Sequence, residues 1–215
     1  MEESVNVKQI AVKLTSTVAL SVMLGGLIIM DVSAADIDKL VEDCTHCHGK
    51  DGASTEPKAP IIGGFSAQYL MDSMAAYVDK DRPCPEFEYP DGPHKGDKTD
   101  MCKIADDISE GDVKEIAEHF ASKPFVPAKQ KFDAALAAKG KDVHDELCEK
   151  CHSAGGSLAS DDAGILAGQW IPYQEQTYKD YSSGDRKQPK KMKIKMKKLD
   201  DETTKQLIHY YSSMQ

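Results

Sequence analysis

Residues 44–48 read CTHCH, and residues 148–152 read CEKCH. Each copy places two thiols and one imidazole within a single turn of chain, in the order Cys-x-x-Cys-His. Taken alone, this spacing suits half of a zinc site, a redox-active dithiol or the attachment of a c-type haem. The residues around the two copies decide between these chemistries.

The two motifs belong to an internal repeat. With an offset of 104 residues and no gap, the chain aligns with itself from the first motif to Arg82, which falls on Arg186. The offset then becomes 91, so the first half carries 13 additional residues. Because this period is too long for a solenoid repeat, we predict two homologous domains, residues 35–124 and 125–215.

Residues 1–34 have the pattern of a signal peptide. Lys8 and Lys13 precede an uncharged run at 14–30, and Val32-Ser33-Ala34 then offers the small residues of a cleavage site. The run has 17 residues and is short for a membrane span. We therefore predict an exported, periplasmic protein, with an uncleaved N-terminal anchor as the alternative.

Apolar residues recur at helical spacing in both halves, and no segment shows a convincing strand pattern. The sequence therefore predicts an all-α fold. The predicted helices are 36–44, 66–78 and 109–121 in the first half, and 134–148, 171–181 and 200–213 in the second.

In this helical, exported chain, the repeated motif predicts two covalently bound haem c groups. A zinc site would need further Cys or His ligands at regular spacing, and a thioredoxin-like dithiol would need strands; the sequence offers neither. A haem would also supply apolar surface around which a small domain can pack. The predicted thioether residues are Cys44, Cys47, Cys148 and Cys151, and the predicted iron ligands beside them are His48 and His152.

Each half also has a methionine at an equivalent position. Met101 lies seven residues before Ile108, and Met192 lies seven residues before Leu199, the matching position. We predict that both bind iron; Met196 is the competitor in the second half, but it aligns with an alanine. With two axial ligands on each iron no site is left for substrate, which is typical of electron transfer.

The repeat matches Arg82 with Arg186, and it leaves the other histidines without a matching histidine. We predict that the two arginines bind haem propionates by charge-assisted hydrogen bonds, with a helix-end role as the alternative. His144 is predicted to be a surface or satisfied core residue, and His46 an exposed neighbour of the iron ligand.

The two motifs, PIIGG (60–64), GILAGQ (164–169) and a methionine ahead of ISEGDVKEIAEHFAS (108–122) resemble the dihaem cytochromes c. The similarity is to the cytochrome c4 family and to the related cytochrome subunit of flavocytochrome c sulfide dehydrogenase, over residues 35–215. It implies two tandem class I cytochrome c domains with propionates near their interface. It also implies that the Pro60 carbonyl accepts the proximal histidine's N–H, whereas Gly164 replaces this proline in the second half.

The resemblance implies a periplasmic electron carrier with no catalysis of its own, free or peripherally attached to the membrane. Its implied partners are redox proteins: a terminal oxidase, a cytochrome bc-type complex or a flavoprotein dehydrogenase. One alternative is the cytochrome subunit of a flavocytochrome c sulfide dehydrogenase. Another is a dihaem enzyme, such as a peroxidase or a thiosulfate dehydrogenase, which would need an open iron site or a Cys or His ligand instead of one methionine.

The 13 additional residues lie between Cys84 and Cys102, and Cys102 directly follows Met101. Because thiols outside the cytoplasm tend to be oxidised, we predict a disulfide between these two cysteines. Such a bond would also restrain the segment that carries the predicted ligand Met101.

Charge is divided unequally between the halves. Residues 35–125 carry 10 Lys or Arg against 20 Asp or Glu, and residues 126–215 carry 15 against 13. The net charge of −9 argues against nucleic-acid binding. The basic run RKQPKKMKIKMKK (186–198) surrounds Met192, so it is either a solvated loop or a rim that attracts an acidic redox partner.

Overall fold

The computed structural model describes residues 34–215, so the predicted signal peptide lies outside the described residues apart from Ala34. Over this range the fold is helical, as predicted. The helices are α1 Ala34–His48, α2 Ala67–Val78, α3 Met101–Asp107, α4 Glu110–Ala121, α5 Ala134–Leu147, α6 Ser153–Gly156, α7 Ile171–Ser183, α8 Lys190–Met196 and α9 Asp201–Ser212. From residue 34 onward, no helix combines the length and apolar character needed to cross a bilayer.

The repeat found in the sequence is also present in the order of helices. Helices α1, α2, α3 and α4 correspond to α5, α7, α8 and α9, and the six predicted helices are observed. Helices α3 and α8, which carry the predicted methionine ligands, were not predicted. Each has seven residues, two turns at most, so neither can display a helical periodicity.

The insertion of the first half contains a short strand pair that no pattern in the sequence indicated. Strand β1, Phe87–Glu88, pairs antiparallel with β2, Lys98–Thr99. Two-residue strands are too short to show alternation in sequence. The predicted disulfide between Cys84 and Cys102 is confirmed, and it closes the base of this hairpin.

The first and last helices of each half pack against each other. In the first half, Val41 of α1 contacts Ile116 and Phe120 of α4 in a buried apolar cluster. In the second half, α5 crosses α9 at Gly140, where an added side chain would collide with the carbonyl of Gln206. These crossings set the position of the end of α1 and of α5, which is where each motif lies.

The two halves share a buried boundary. The ring of Phe65 stacks on that of Phe125 at 6.3 Å and 7°, within an apolar cluster that includes Ile165 and Ala167. Hydrogen bonds across the boundary pair Gln169 with Ile61, Trp170 with Ser54, Arg82 with Tyr173, and Lys187 with Asp81.

Candidate cofactor sites

The first motif occupies the last turn of α1. Cys44 and Cys47 are free thiols and do not pair with each other. Burial, reinforced by the charge of Asp43, raises the pKa of Cys44 to about 11, and burial also raises the pKa of Cys47. A redox-active dithiol needs a lowered thiol pKa, so this environment does not suit one.

His48, at the end of α1, is held in one orientation. Its Nδ1–H donates to the carbonyl of Pro60 at 2.9 Å. Burial lowers the pKa of His48, which favours the neutral imidazole that binds metals. With Nδ1 engaged, Nε2 is the nitrogen that remains for coordination.

A cavity of about 690 Å³ lies between this motif and helices α2, α3 and α4. The predicted first-half site residues line it together: Cys44, Cys47, His48, Arg82 and Met101. Much of the remaining lining is apolar, including Leu70, Ile104 and Phe120. An apolar slot with two thiols and an imidazole on its wall and a thioether among its lining residues fits a covalently bound haem c.

The matched arginines have matched surroundings. Arg82 and Arg186 are 8% and 7% exposed, and each guanidinium lies 4.6 Å from the ring centre of a tyrosine, Tyr77 or Tyr181. In the part of the chain that the structure describes, neither has a carboxylate within salt-bridge distance. Since a buried charge without a counter-charge is costly, both positions suit an anionic group such as a propionate.

Tyr173 lies beside both arginines at the boundary between the halves. Its hydroxyl accepts a hydrogen bond from Arg82 at 3.1 Å. Burial would raise the pKa of Tyr173, but the guanidinium charges of Arg82 and Arg186 outweigh this effect and hold the pKa below its ordinary value. Tyr173 therefore lies in an environment dominated by the two guanidinium charges.

In the second half, the structure keeps the motif together, but no described cavity is lined by both the motif and Met192. The backbone N–H groups of Cys151 and His152 both donate to the carbonyl of Cys148 at 3.0 Å. A cleft of about 1180 Å³ lies between α7, α8 and α9, and its lining includes Arg186 and Met196 but neither the motif nor Met192. Nδ1 of His152 is buried and has no hydrogen-bond partner among the described residues.

Beside the second motif, His144, Glu149 and Tyr211 form a hydrogen-bonded cluster that the sequence did not predict. His144 is fully buried, which agrees with the core position that was one of the two predicted for it. Its Nε2–H donates to Glu149 at 2.6 Å, and its Nδ1 lies 2.9 Å from the hydroxyl of Tyr211. Glu149 also accepts from the backbone N–H groups of Ala154 and Gly155. The repeat could have indicated this cluster, because the polar residues His144 and Tyr211 match the apolar residues Leu40 and Phe120 in the first half.

The prediction that His46 is exposed is wrong. Its side chain is 15% exposed because the insertion folds over it, and Nδ1 lies 2.6 Å from a carboxylate oxygen of Asp91. The ring also makes an edge contact with Tyr89. The repeat could not predict this contact, because the second half lacks the segment that covers His46.

The chain matches no protein-family model. It is 33% identical over 90 residues to cytochrome c-554(548) of Halomonas halodenitrificans, a match that spans 42% of this chain and 94% of the relative.

Solved structures with a similar fold include two cytochromes c4. Reduced cytochrome c4 of Pseudomonas stutzeri superposes with a TM-score of 0.67 at 24% identity, over 85% of this chain and 99% of that one. Cytochrome c4 of Acidithiobacillus ferrooxidans gives 0.64 at 23% identity, over 80% and 99%. Thiosulfate dehydrogenase of Marichromatium purpuratum gives 0.62 at 21% identity, over 79% of this chain and 36% of that one. These likenesses establish the fold, with two tandem cytochrome c domains.

Proposed function

We propose that this chain, which belongs to the c-type cytochromes and carries two covalently bound haem c groups, is a periplasmic carrier with Met/His-ligated haems. Each haem supplies a one-electron iron couple when bound. The observation that carries the proposal is the first-half cavity, because Cys44, Cys47, His48 and Met101 line it together.

The chain's own residues have distinct roles at this site. The two thiols would form the thioethers, the Pro60 carbonyl orients His48 as one iron ligand, and Met101 would supply a thioether as the other. Arg82 and Arg186 would hold propionates near the boundary between the halves. The apolar lining would keep water away from a bound haem, which suits the exchange of electrons.

A redox titration followed by visible spectroscopy tests this ligation. The wild-type protein is expected to show two haems per chain, each with the weak far-red band of iron bound by a thioether. Met101→Ala and Met192→Ala should each remove about half of that band. A band unchanged by either substitution would contradict the assignment of that methionine.

Export and domain limits belong to the same proposal. We infer cleavage after Ala34, release to the periplasm, and two domains that meet near residues 124 and 125. N-terminal sequencing of the protein from a periplasmic fraction tests the first two points. A mature chain that begins at residue 1, or one found only in the cytoplasm, would contradict them.

The unequal charge of the two halves favours binding of two different redox partners, one at each half. In α8, Lys190, Lys191 and Lys193 are all exposed, whereas the first half is strongly acidic. A basic surface at the second haem would speed association with an acidic redox protein, most strongly at low salt. Changing these three lysines to Glu should slow electron exchange with an acidic partner. The same change at Lys129, Lys131 and Lys139, which are exposed elsewhere in the second half, is the matched control.

A second candidate is the cytochrome subunit of a larger redox enzyme, such as a flavocytochrome c sulfide dehydrogenase. The similarity to 36% of a thiosulfate dehydrogenase chain favours it, because the same fold there forms part of a larger enzyme. Co-purification of a flavoprotein in fixed ratio with this chain would support the subunit, and purification of the chain alone would support the free carrier.

A further inference from the structure

A glutamine of the second half is bonded to the loop that orients the proximal histidine of the first half. Oε1 of Gln169 accepts from the backbone N–H of Ile61 at 3.1 Å, and its Nε2 donates to the Ile61 carbonyl at 2.7 Å. Both residues are only 1% exposed. This exchange of two hydrogen bonds with one residue's backbone is the pattern found between paired β-strands, so it fixes the position of Ile61 tightly.

Ile61 directly follows Pro60, whose carbonyl accepts the Nδ1–H of His48. The Ile61 N–H that Gln169 bonds and the Pro60 carbonyl that orients His48 therefore belong to the same peptide group. Gln169 makes no hydrogen bond to His48 itself, so this peptide group is the hydrogen-bonded connection between them.

Trp170 holds the other end of the same loop. Its Nε1–H donates to the carbonyl of Ser54 at 3.0 Å, and the hydroxyl of Ser54 donates to the carbonyl of Cys47 at 3.1 Å. The loop 54–61 is thus bonded to the first motif on one side and to two consecutive residues of the second half on the other.

The second motif lacks the reciprocal arrangement. The repeat places Phe65 at the position of Gln169, Leu158 at that of Ser54 and Gly164 at that of Pro60. Nδ1 of His152 is buried without a partner among residues 34–215. The hydrogen bonds of the described residues are therefore one-sided: side chains of the second half bond the loop 54–61 of the first, and no side chain of the first half bonds the matching loop of the second.

We propose that Gln169 is a positioning residue for the haem site of the first half, acting across the boundary by fixing the Pro60 carbonyl against His48. The inference rests on the proposed ligation by His48. A carbonyl acceptor at Nδ1 makes the imidazole a stronger donor to iron, which favours the ferric state and lowers the reduction potential. The potential of the first haem then depends on a side chain of the second half.

Substituting Gln169 with Leu would leave the N–H and carbonyl of Ile61 buried without partners. Buried unpaired groups are costly, so the loop is expected to shift toward other partners and to loosen the Pro60–His48 bond. The potential of the first haem should therefore rise, while that of the second stays unchanged.

The test uses the intact dihaem protein and three readouts: amide exchange at Ile61, the NMR signal of the His48 Nδ1–H, and both reduction potentials. For Gln169→Leu we expect faster exchange at Ile61, a shifted His48 signal and a roughly tenfold change in the first haem's redox equilibrium, about 59 mV for one electron. Gln176→Leu is the matched control, because it makes the same chemical change at an exposed position of the second half, where the side chain donates to Asp180 and lines neither cavity. It should leave all three readouts unchanged.

Faster exchange at Ile61 with an unchanged first-haem potential would overturn the proposal, as would an equal shift in both haems or the same shift in Gln176→Leu. If Gln169→Leu does not fold, Trp170→Phe keeps an aromatic ring but removes the Nε1–H together with part of the ring system, and a smaller rise at the first haem is expected. A wild-type spectrum without histidine-ligated haem in the first half would instead refute the proposed function, before any variant is compared.

Discussion

Nδ1 of His46 lies 2.6 Å from Oδ1 of Asp91, so the insertion of the first half is bonded to a residue between that half's own two motif cysteines. The side chains of Phe87 and Tyr89, from the same insertion, line the first cavity. The second half has no counterpart to this segment. The two haem sites therefore differ in what covers them, although their motifs are the same.

The disulfide that closes the insertion should stabilise both the fold and the first haem site. Changing Cys84 and Cys102 together to Ser should lower the free energy of unfolding by about 3 kcal/mol, because the bond restricts the unfolded chain. Since Cys102 adjoins Met101, the double variant should also bind added imidazole more readily at the first haem. Denaturant titration and imidazole titration measure the two effects; unchanged imidazole binding would show that the bond does not restrain Met101.

The ligand of the second haem can be identified by comparing two methionines of α8. Met192→Leu should remove the thioether band of the second haem, because Met192 occupies the position that matches Met101. Met196→Leu should leave the band intact, although Met196 lines the neighbouring cleft. The reverse outcome would assign the ligand to Met196. Visible spectra of the two oxidised variants are sufficient for the comparison.

The crossing of α5 and α9 depends on the absence of a side chain at Gly140. Gly140→Ala would force the two helices apart, since its Cβ would collide with the backbone carbonyl of Gln206. We expect a loss of about 1–3 kcal/mol in the free energy of unfolding, as for other overpacked sites. Gly111→Ala, at an open position in α4, serves as the control and should be neutral or stabilising. A Gly140→Ala variant as stable as the wild type would contradict the close approach.

The cap of α5 should make stability depend on acid pH. Hydrogen bonds from the N–H groups of Leu136 and Ala135 lower the pKa of Asp133 below its ordinary value of 3.8. The carboxylate therefore contributes stability above the unfolded pKa, and that contribution is lost as the pH falls through the lower folded value.

Asp133→Ala should accordingly melt below the wild type at neutral pH, and the difference in melting temperature should shrink as the pH falls below about 4. Asp142→Ala removes an exposed carboxylate from the middle of the same helix and should show no such convergence. If the difference in melting temperature between Asp133→Ala and the wild type stayed the same at every pH, the ionised carboxylate of Asp133 would have no role in the cap.

Much of the fold followed from local patterns. Helical periodicity predicted the six longer helices, and the offset of 104 residues predicted which of them correspond. The helix that carries Met101 and the strand Phe87–Glu88 were missed because segments of two to seven residues contain too little periodicity to detect. The Cys84–Cys102 bond could be predicted because two cysteines in an oxidising compartment tend to form a disulfide, and this tendency does not depend on periodicity.

By itself, the sequence determined the two haem attachment motifs, the repeat and the class of fold, because each depends on residues a few positions apart or on identity between the halves. Only the tertiary structure decided what surrounds each motif. Gln169 meets Ile61 across 108 positions, and His46 meets Asp91 across 45. Such pairs form when helices pack and bring distant backbone and side-chain groups out of water together, where each buried polar group needs a partner. Because the two halves offer different partners to their buried groups, the two matching motifs have different surroundings.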